Sequence, residues 1–208
     1  MHQQKEFDGV KLSKLLSWLL RHGANKEGLS LDGAGYIEIE KILSLKQFQN
    51  YTSDDILRVV DINDKQRFSI RKNIETGLLQ IRANQGHSLS VDDKELLTLL
   101  DEHTVPELVY HGTYFRSLNS IKENGLSKMK RNHIHFTSKY PTNSSIISGM
   151  RKNCEIFIVV AAKKAFADGY KFFKSENDVI LCPGNKSGVI APSYFKEIWQ
   201  LSPLKKIG

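Results

Sequence analysis

The sequence predicts an α+β protein built from two lobes. Helical spacing of apolar residues dominates the first sixty residues, two β-like runs follow, and short apolar runs then alternate with helical stretches to the end. The charge balance also changes along the chain. Residues 1–104 hold 14 Lys+Arg against 16 Asp+Glu, whereas residues 105–208 hold 16 against 7. We place the domain boundary at this change, which predicts domains 1–103 and 104–208.

The first domain begins with a predicted amphipathic helix that ends at Arg21-His22, with Gly23 as its left-handed cap. Its leucines recur at the spacing of one buried helical face: Leu12, Leu15, Leu16, Leu19 and Leu20. A turn over residues 32–35 precedes a short strand at 36–39 and a short helix at 40–45. Thr52 and Asp55 then resemble a capping box, which predicts a third helix over 56–60.

Two β-like runs, residues 67–70 and 77–81, are separated by a polar stretch, as in a hairpin. Helices followed by a hairpin suggest a winged-helix-like lobe. Residues 92–100 predict one more helix before the boundary. In the second domain, apolar runs at 108–110, 134–136, 156–161 and 179–181 alternate with helical stretches around 118–121 and 163–167, which predicts a mixed α/β lobe.

Composition limits the class of protein. The chain has 208 residues, 40% hydrophobic and 25% charged, which is typical of a folded globular protein. Its net charge of +7 fits a polyanionic partner such as RNA or a dinucleotide, although solubility alone could also explain it. The sequence has no apolar run long enough to span a membrane, and its first residues lack the apolar core of a signal peptide. We therefore expect a cytoplasmic protein with no membrane partner and no obligate protein partner.

The common phosphate-loop, Rossmann, zincin and hydrolase motifs are missing from the sequence. Cys154 and Cys182 form no CxxC pair, and we assign them no function. Two imidazoles, His133 and His135, alternate near several cations, but too few ligands accompany them to predict a metal site. Four islands rich in cations or imidazoles remain: residues 19–22, 81–88, 110–113 and 130–136. Each alone has a structural explanation, such as a cation placed favourably at the end of a helix.

Taken together and in order, these islands resemble the RNA 2′-phosphotransferase family. Residues 12–22, Leu-Ser-Lys-Leu-Leu-Ser-Trp-Leu-Leu-Arg-His, are similar to the family pattern LSKxLSxxLRH, and residues 28–35 are similar to GLxLDxxG. Further similarities are Ile81-Arg-Ala-Asn-Gln-Gly-His-Ser88, Tyr110-His-Gly-Thr113, and Arg131 followed by His-Ile-His-Phe136. Departures are small: Tyr36 stands where tryptophan is common, and Gly23-Ala-Asn replaces a proline-containing turn.

The resemblance implies an ADP-ribosyltransferase-like lobe for residues 104–208 and an NAD-dependent reaction. In such enzymes an internal RNA 2′-phosphate, as at a tRNA splice junction, is transferred to NAD through a 2′-phospho-ADP-ribosylated RNA intermediate. The products are 2′-hydroxyl RNA, nicotinamide and ADP-ribose 1″,2″-cyclic phosphate. The expected partners are therefore NAD, consumed as a co-substrate, and RNA carrying an internal 2′-phosphate, such as spliced tRNA.

The resemblance also assigns residues. Arg21, Arg82 and Arg131 occupy the family's arginine positions, and arginine suits phosphate because its planar fork presents paired donors and stays charged. His22 is the candidate base for the ribose 2″-hydroxyl, because the reference pKa of histidine lies near 6.5; its imidazolium could equally act as an electrostatic clamp. An NAD pocket is expected to include His111, Gly112, Thr113, His135, Ser138 and Arg151, with the glycine permitting close approach of the dinucleotide.

Two alternatives remain at this point. One is an ADP-ribosyltransferase that stops after the first step and caps a phosphorylated nucleic-acid end. The other is a winged-helix RNA-binding module whose catalytic lobe has decayed, although the three arginines and His22 are all retained.

Overall fold

The computed structural model describes residues 8–141, 148–151 and 153–208. Most of the N-terminal stretch used to judge a signal peptide therefore lies outside the described residues. Helices and strands are mixed, which confirms the α+β class. By packing, the chain divides into two compact units, one ending at Leu96 and the other beginning at Leu97. The functional domains 1–103 and 104–208 remain a prediction. Among the described helices, none is both long and apolar enough to cross a membrane.

The first unit opens with helix α1 (Gly9–Trp18), which begins where the Asp8 carboxylate accepts the Lys11 N–H at 2.9 Å. The chain then continues through a π-helical turn (Leu19–Gly23) and a 3₁₀ turn (Ala24–Glu27). The left-handed residue is Gly28, with φ of 72°. The prediction of a left-handed cap at Gly23 is wrong, because Gly23 has φ of −106°. A Cβ there would stand 2.6 Å from the Trp18 ring, so this glycine makes room for the indole.

The rest of the first unit follows the predicted order of elements: β1 (Ile37–Glu38), α2 (Ile39–Leu43), a 3₁₀ turn (Lys46–Phe48), α3 (Ser53–Asp61), β2 (Phe68–Lys72), β3 (Leu79–Ala83) and α4 (Asp93–Leu96). The capping box is confirmed, since the Asp55 N–H donates to Thr52 Oγ1 at 3.2 Å and the Thr52 N–H donates to Asp55 Oδ2 at 2.9 Å. The hairpin is also confirmed: β3 lies between β2 and β1 and is antiparallel to both.

The second unit contains two α-helices, one 3₁₀ turn and ten strands in its described part: β4 (Thr98–Leu99), β5 (Leu108–Thr113), α5 (Phe115–Asn124), β6 (Leu126–Ser127), β7 (Ile134–Phe136), β8 (Ile156–Ala161), α6 (Ala162–Ala167), β9 (Phe173–Lys174), β10 (Ile180–Cys182), β11 (Val189–Ile190), the 3₁₀ turn (Pro192–Tyr194), β12 (Phe195–Leu201) and β13 (Leu204–Lys206). One sheet has the order β4-β9-β10-β7 and another has the order β13-β12-β8-β5. The predicted apolar runs form β5, β7, β8 and β10, and the predicted helices form α5 and α6.

The helix predicted over residues 92–100 is wrong beyond Leu96. Thr98 and Leu99 instead pair with β9, and the Leu100 N–H donates to the Phe172 carbonyl at 2.9 Å. Sheet pairing overrides the local helical pattern here, because helix propensity is weak compared with tertiary contacts.

Strand β8 fixes the position of the candidate residues on β5. All six β8 residues are buried, and the strand lies between β5 and β12. Its register places His111 opposite Ile158 and Gly112 opposite Phe157. The C-terminal end of β5 is therefore held by a strand that the core immobilises.

Candidate functional site

Arg21 and His22 lie in the π-helical turn that follows α1. The turn is closed by the Ala24 N–H, which donates to the Leu19 carbonyl five residues earlier. Leu19 is fully buried, whereas Arg21 and His22 are partly exposed. Such wide turns interrupt the regular helical spacing and are frequent at functional sites. The turn therefore redirects these two side chains while the helix stays anchored in the core.

The loop after β3 holds this turn. Gly86 has φ of 92°, a conformation that glycine adopts readily. The N–H groups of Ser88 and Leu89 then donate to the Arg21 carbonyl at 2.9 and 3.3 Å. The Ser88 hydroxyl lies 2.9 Å from His22 Nδ1 and donates to the same Arg21 carbonyl at 3.4 Å. The hydroxyl can therefore bridge His22 Nδ1 and the Arg21 carbonyl, and this contact orients the imidazole.

Arg82 lies on β3 and contacts the turn before β1. Its Nη1 donates to the Ala34 carbonyl at 3.3 Å, and its guanidinium carbon lies 4.8 Å from the centre of the Tyr36 ring. The register of β1 on β3, with Ile37 opposite Ile81, brings Tyr36 beside Arg82. A second guanidinium, that of Arg71, lies 4.0 Å from the same ring. Tyr36, which the sequence marked only as a departure from the family, therefore helps to position Arg82.

His111 is the best defined of the candidate residues in the second unit. Its Nδ1 lies 2.8 Å from the His135 carbonyl, which can only accept, so Nδ1 carries the proton. Burial lowers the pKa of His111, and the positive charges of Arg151 and Arg131 lower it further, while the His135 carbonyl partly opposes this. His111 is therefore a neutral imidazole near neutral pH.

Arg131 and Arg151 share a region with His111. Burial lowers the pKa of Arg131, and the charge of Arg151 adds to that effect. Arg151 in turn donates from Nη1 to the Tyr114 hydroxyl at 3.5 Å. Two guanidinium groups that repel each other favour a bound anion, which would offset the repulsion. The second unit thus brings together a predicted phosphate ligand, Arg131, and two predicted NAD contacts, His111 and Arg151.

The other predicted NAD contacts differ in accessibility. Thr113 and His135 are buried, and Ser138 is exposed just after β7. Gly112 has a packing role: a Cβ would stand 2.6 Å from Met150 Cγ and 2.9 Å from Cys154 Sγ. On the side where a Cβ would stand, the absence of a side chain at Gly112 makes room for Met150 and Cys154.

Several other groups bear on the chemistry of the site. Burial raises the pKa of the Cys182 thiol to about 12, which makes it a poor nucleophile. Among the described residues, no cluster of three or more His, Cys, Asp or Glu side chains could hold a metal ion.

Sequence reasoning missed the positioning contacts of Ser88, Tyr36 and Tyr114. The β1–β3 register could have indicated Tyr36 only after the sheet order was known.

Comparison with known proteins identifies the family of this chain. The chain matches the family described as RNA 2′-phosphotransferase, Tpt1/KptA family, over residues 8–184. It is 45% identical over 204 residues to tRNA 2′-phosphotransferase 1 of Danio rerio, covering 98% of this chain and 91% of that protein. The human protein of the same name is 47% identical over 198 residues, which cover 95% of this chain and 78% of the human protein. The tRNA 2′-phosphotransferase of Saccharomyces cerevisiae is 38% identical over 185 residues, which cover 86% of this chain and 80% of the yeast protein. With its arginines and His22 inside the matched range, the chain belongs to the RNA 2′-phosphotransferase family of enzymes.

Proposed function

We propose that this protein is an NAD-dependent RNA 2′-phosphotransferase that removes an internal 2′-phosphate from RNA, such as the splice junction of a tRNA. Family membership supports the reaction class, and the names of the relatives support tRNA as a substrate. The observation that carries the proposal is the π-helical turn, because it places an arginine and a histidine side by side and fixes the histidine through Ser88.

Each unit has a proposed task. We assign the winged-helix-like RNA lobe to residues 1–103 and the ADP-ribosyltransferase-like NAD lobe to residues 104–208. Helices followed by a three-stranded antiparallel sheet support the first assignment. The cations gathered around β5 support the second. The cytoplasm is the proposed compartment, on the sequence argument alone.

Arg21, Arg82 and Arg131 are the proposed ligands of the transferred phosphate. Arginine donates through paired N–H groups, and its charge persists at any physiological pH. Arg82 is oriented in advance by the Ala34 carbonyl and the Tyr36 ring. Arg131 is partly desolvated and has a second cation nearby, which strengthens its attraction for an anion.

His22 is the proposed general base. NAD, when bound, supplies an electrophilic ribose carbon, nicotinamide as the leaving group and a neighbouring 2″-hydroxyl. His22 accepts the proton of that hydroxyl at Nε2, since its Nδ1 lies against the Ser88 hydroxyl. The Ser88 hydrogen bond can persist in both protonation states, because a hydroxyl both donates and accepts. The ring therefore keeps its orientation while Nε2 gains and loses a proton.

The residues of the second unit fit a dinucleotide. The charge of Arg151 suits a pyrophosphate, and a neutral His111 adds no further repulsion to that between Arg151 and Arg131. The hydroxyl of exposed Ser138 is available for polar contacts. We therefore propose His111, Thr113, His135, Ser138 and Arg151 as residues that hold NAD, with Gly112 shaping the strand.

The test uses a short 5′-labelled RNA that carries one internal 2′-phosphate, incubated with and without NAD. The expected result is NAD-dependent loss of the phosphate together with nicotinamide and the cyclic ADP-ribose phosphate. Arg131→Ala and Arg131→Lys should both lose activity by about 10- to 150-fold, because a charge-assisted hydrogen bond contributes about 1.5–3 kcal/mol. The neighbouring Lys130→Ala variant is the matched control and should retain activity.

Two outcomes would overturn the proposal. If nicotinamide forms but the labelled RNA becomes larger and keeps its phosphate, the protein is an ADP-ribosyltransferase that caps phosphorylated RNA. If RNA binds but neither nicotinamide nor phosphate is released, the protein is a binding module.

A further inference from the structure

An exposed tryptophan lies next to the proposed catalytic turn. Trp18 ends α1 with 40% of its surface exposed, although tryptophan is usually well covered in a folded protein. Lys11 and Lys14 are also exposed and precede it by seven and four residues, a spacing that puts all three side chains on one helical face. They line one surface concavity together with Asp8, Val10 and Leu15. We call Lys11, Lys14 and Trp18 the α1 face.

The position of the Trp18 ring is set by the backbone. The ring occupies the space that a side chain at position 23 would need, and position 23 ends the π-helical turn that holds Arg21 and His22. The indole therefore lies against the same turn as the proposed phosphate ligand and base. Its location depends on Gly23, the residue that the sequence wrongly suggested as a helix cap.

The charges of the α1 face indicate the chemistry of its partner. Both lysines lie along the helix on the side of Trp18 away from Arg21. Among the described residues that line the concavity, the one acidic group is Asp8, which lies at the far end and already accepts the Lys11 N–H. Aromatic rings flanked by cations are typical of surfaces that bind single-stranded nucleic acid, where bases stack and phosphates pair with the cations. An apolar protein surface would leave the two lysines without compensation.

We propose that the α1 face binds the RNA strand beside the 2′-phosphate. Trp18 stacks on the base of a nucleotide adjacent to the phosphorylated one, and Lys14 and Lys11 contact the backbone phosphates beyond it. This inference rests on the proposed function, which puts the 2′-phosphate at Arg21. Lys14 precedes Arg21 by roughly 10 Å along the helix axis, a distance that a short RNA segment spans. The surface recognises any base, because every base offers an aromatic face.

Fluorescence tests binding without requiring activity. The sequence has two tryptophans, so a Trp199→Phe background leaves Trp18 as the only one. This protein is titrated, without NAD, with a seven-nucleotide single-stranded RNA that bears one internal 2′-phosphate. We expect a saturable change in Trp18 emission that follows the anisotropy of the labelled RNA. Saturated binding with unchanged emission would contradict the proposal, and so would an emission change that depends on protein concentration alone, which would indicate self-association.

Kinetics then test stacking directly. Trp18→Leu should raise the KM for this RNA by about 5- to 150-fold, the range expected for one stacked base, and leave the KM for NAD unchanged. Trp18→Phe should keep most of the affinity because it retains a ring. Replacing the stacked nucleotide beside the 2′-phosphate with an abasic one should raise the KM of the parent protein for RNA as much as Trp18→Leu does. The same abasic RNA should raise the KM of the Trp18→Leu variant hardly any further. If the losses of affinity caused by Trp18→Leu and by the abasic nucleotide are additive, whichever side of the 2′-phosphate is abasic, the stacking contact is overturned.

The lysines have their own readout. Lys14→Ala should weaken RNA binding about equally for all sequences and reduce the slope of log affinity against log salt concentration by about one. Lys46→Ala, an exposed lysine of the same unit outside the α1 face, is the control and should leave the slope unchanged. An unchanged slope for Lys14→Ala would remove the lysine from the interface.

The two proposals fail in different ways. If no variant or parent removes phosphate, the proposed function is wrong, and the fluorescence titration still tests the α1 face. If the parent removes phosphate and Trp18→Leu does so with the same KM for RNA, the α1 face alone is wrong.

Discussion

His22 in the first unit and His111 in the second make the same kind of hydrogen bond in different surroundings. His22 Nδ1 is hydrogen-bonded to the Ser88 hydroxyl on an exposed loop, and His111 Nδ1 donates to the His135 carbonyl within a sheet. Burial and two nearby arginines disfavour a positive charge on His111. A hydrogen bond orients each ring, and the surroundings of His111 also keep that ring neutral. This difference agrees with the proposed roles, which are proton transfer by His22 and neutral ligand binding by His111.

The largest expected effect separates these two histidines. His22→Ala should lower kcat by about 10²- to 10⁴-fold, the usual contribution of a general base. His111→Gln should mainly raise the KM for NAD, because the glutamine amide can still donate a hydrogen bond and stays neutral. Nicotinamide and cyclic phosphate are measured separately for both variants. A loss of kcat in His111→Gln as large as in His22→Ala would end the division of roles between the two units.

A smaller effect is expected at Ser88, whose hydroxyl lies 2.9 Å from His22 Nδ1. Ser88→Ala removes this hydrogen bond and the longer contact with the Arg21 carbonyl. The hydrogen bond to His22 is worth about 0.5–1.5 kcal/mol, so its loss should lower kcat by about 2- to 13-fold. Ser88→Thr keeps the hydroxyl and should restore most of the loss. The pH dependence of kcat is the decisive readout, because losing the Nδ1 partner changes proton affinity at Nε2. A Ser88→Ala enzyme with reduced kcat and an unaltered pH profile would show that Ser88 has only a structural role.

Much of the fold could be predicted from the sequence, because its signal is periodic. The buried leucines of α1, the capping box at Thr52 and Asp55 and the wholly apolar β8 each depend on neighbours in the chain. Local patterns of this kind keep their meaning in the folded protein. The same holds for the β2–β3 hairpin, whose strands are joined by a short polar turn.

The failures have a common physical cause. The Gly23 cap and the helix beyond Leu96 were both inferred from local sequence, and contacts with the Trp18 ring and with β9 decided them. The π-helical turn had no sequence signature, since Leu-Leu-Arg-His-Gly reads equally well as the end of an ordinary helix. The family resemblance identified Arg21 and His22 without that geometry. It did not identify Ser88 or Tyr36 as positioning residues, because those roles depend on hydrogen bonds and ring contacts.

The smallest expected effect concerns stability against pH and tests the second unit alone. The pKa of His111 is lowered in the folded protein, so below the unfolded reference value near 6.5 the unfolded chain binds a proton that the folded chain resists. Stability from this group is therefore fully present above that value and falls as the pH falls through it towards the folded pKa. Each pKa unit of difference changes the free energy of unfolding by about 1.4 kcal/mol.

Urea unfolding of the parent between pH 8 and pH 5.5 measures this dependence. His111→Gln cannot take up the proton, so its free energy of unfolding should fall less over the same range. His103→Gln is the matched control, because His103 is exposed beside Glu102 and should leave the parent's pH dependence nearly intact. If His111→Gln shows the same fall as the parent, His111 is not the group that burial and the two arginines hold neutral, and the comparison with His22 would rest on kinetics alone.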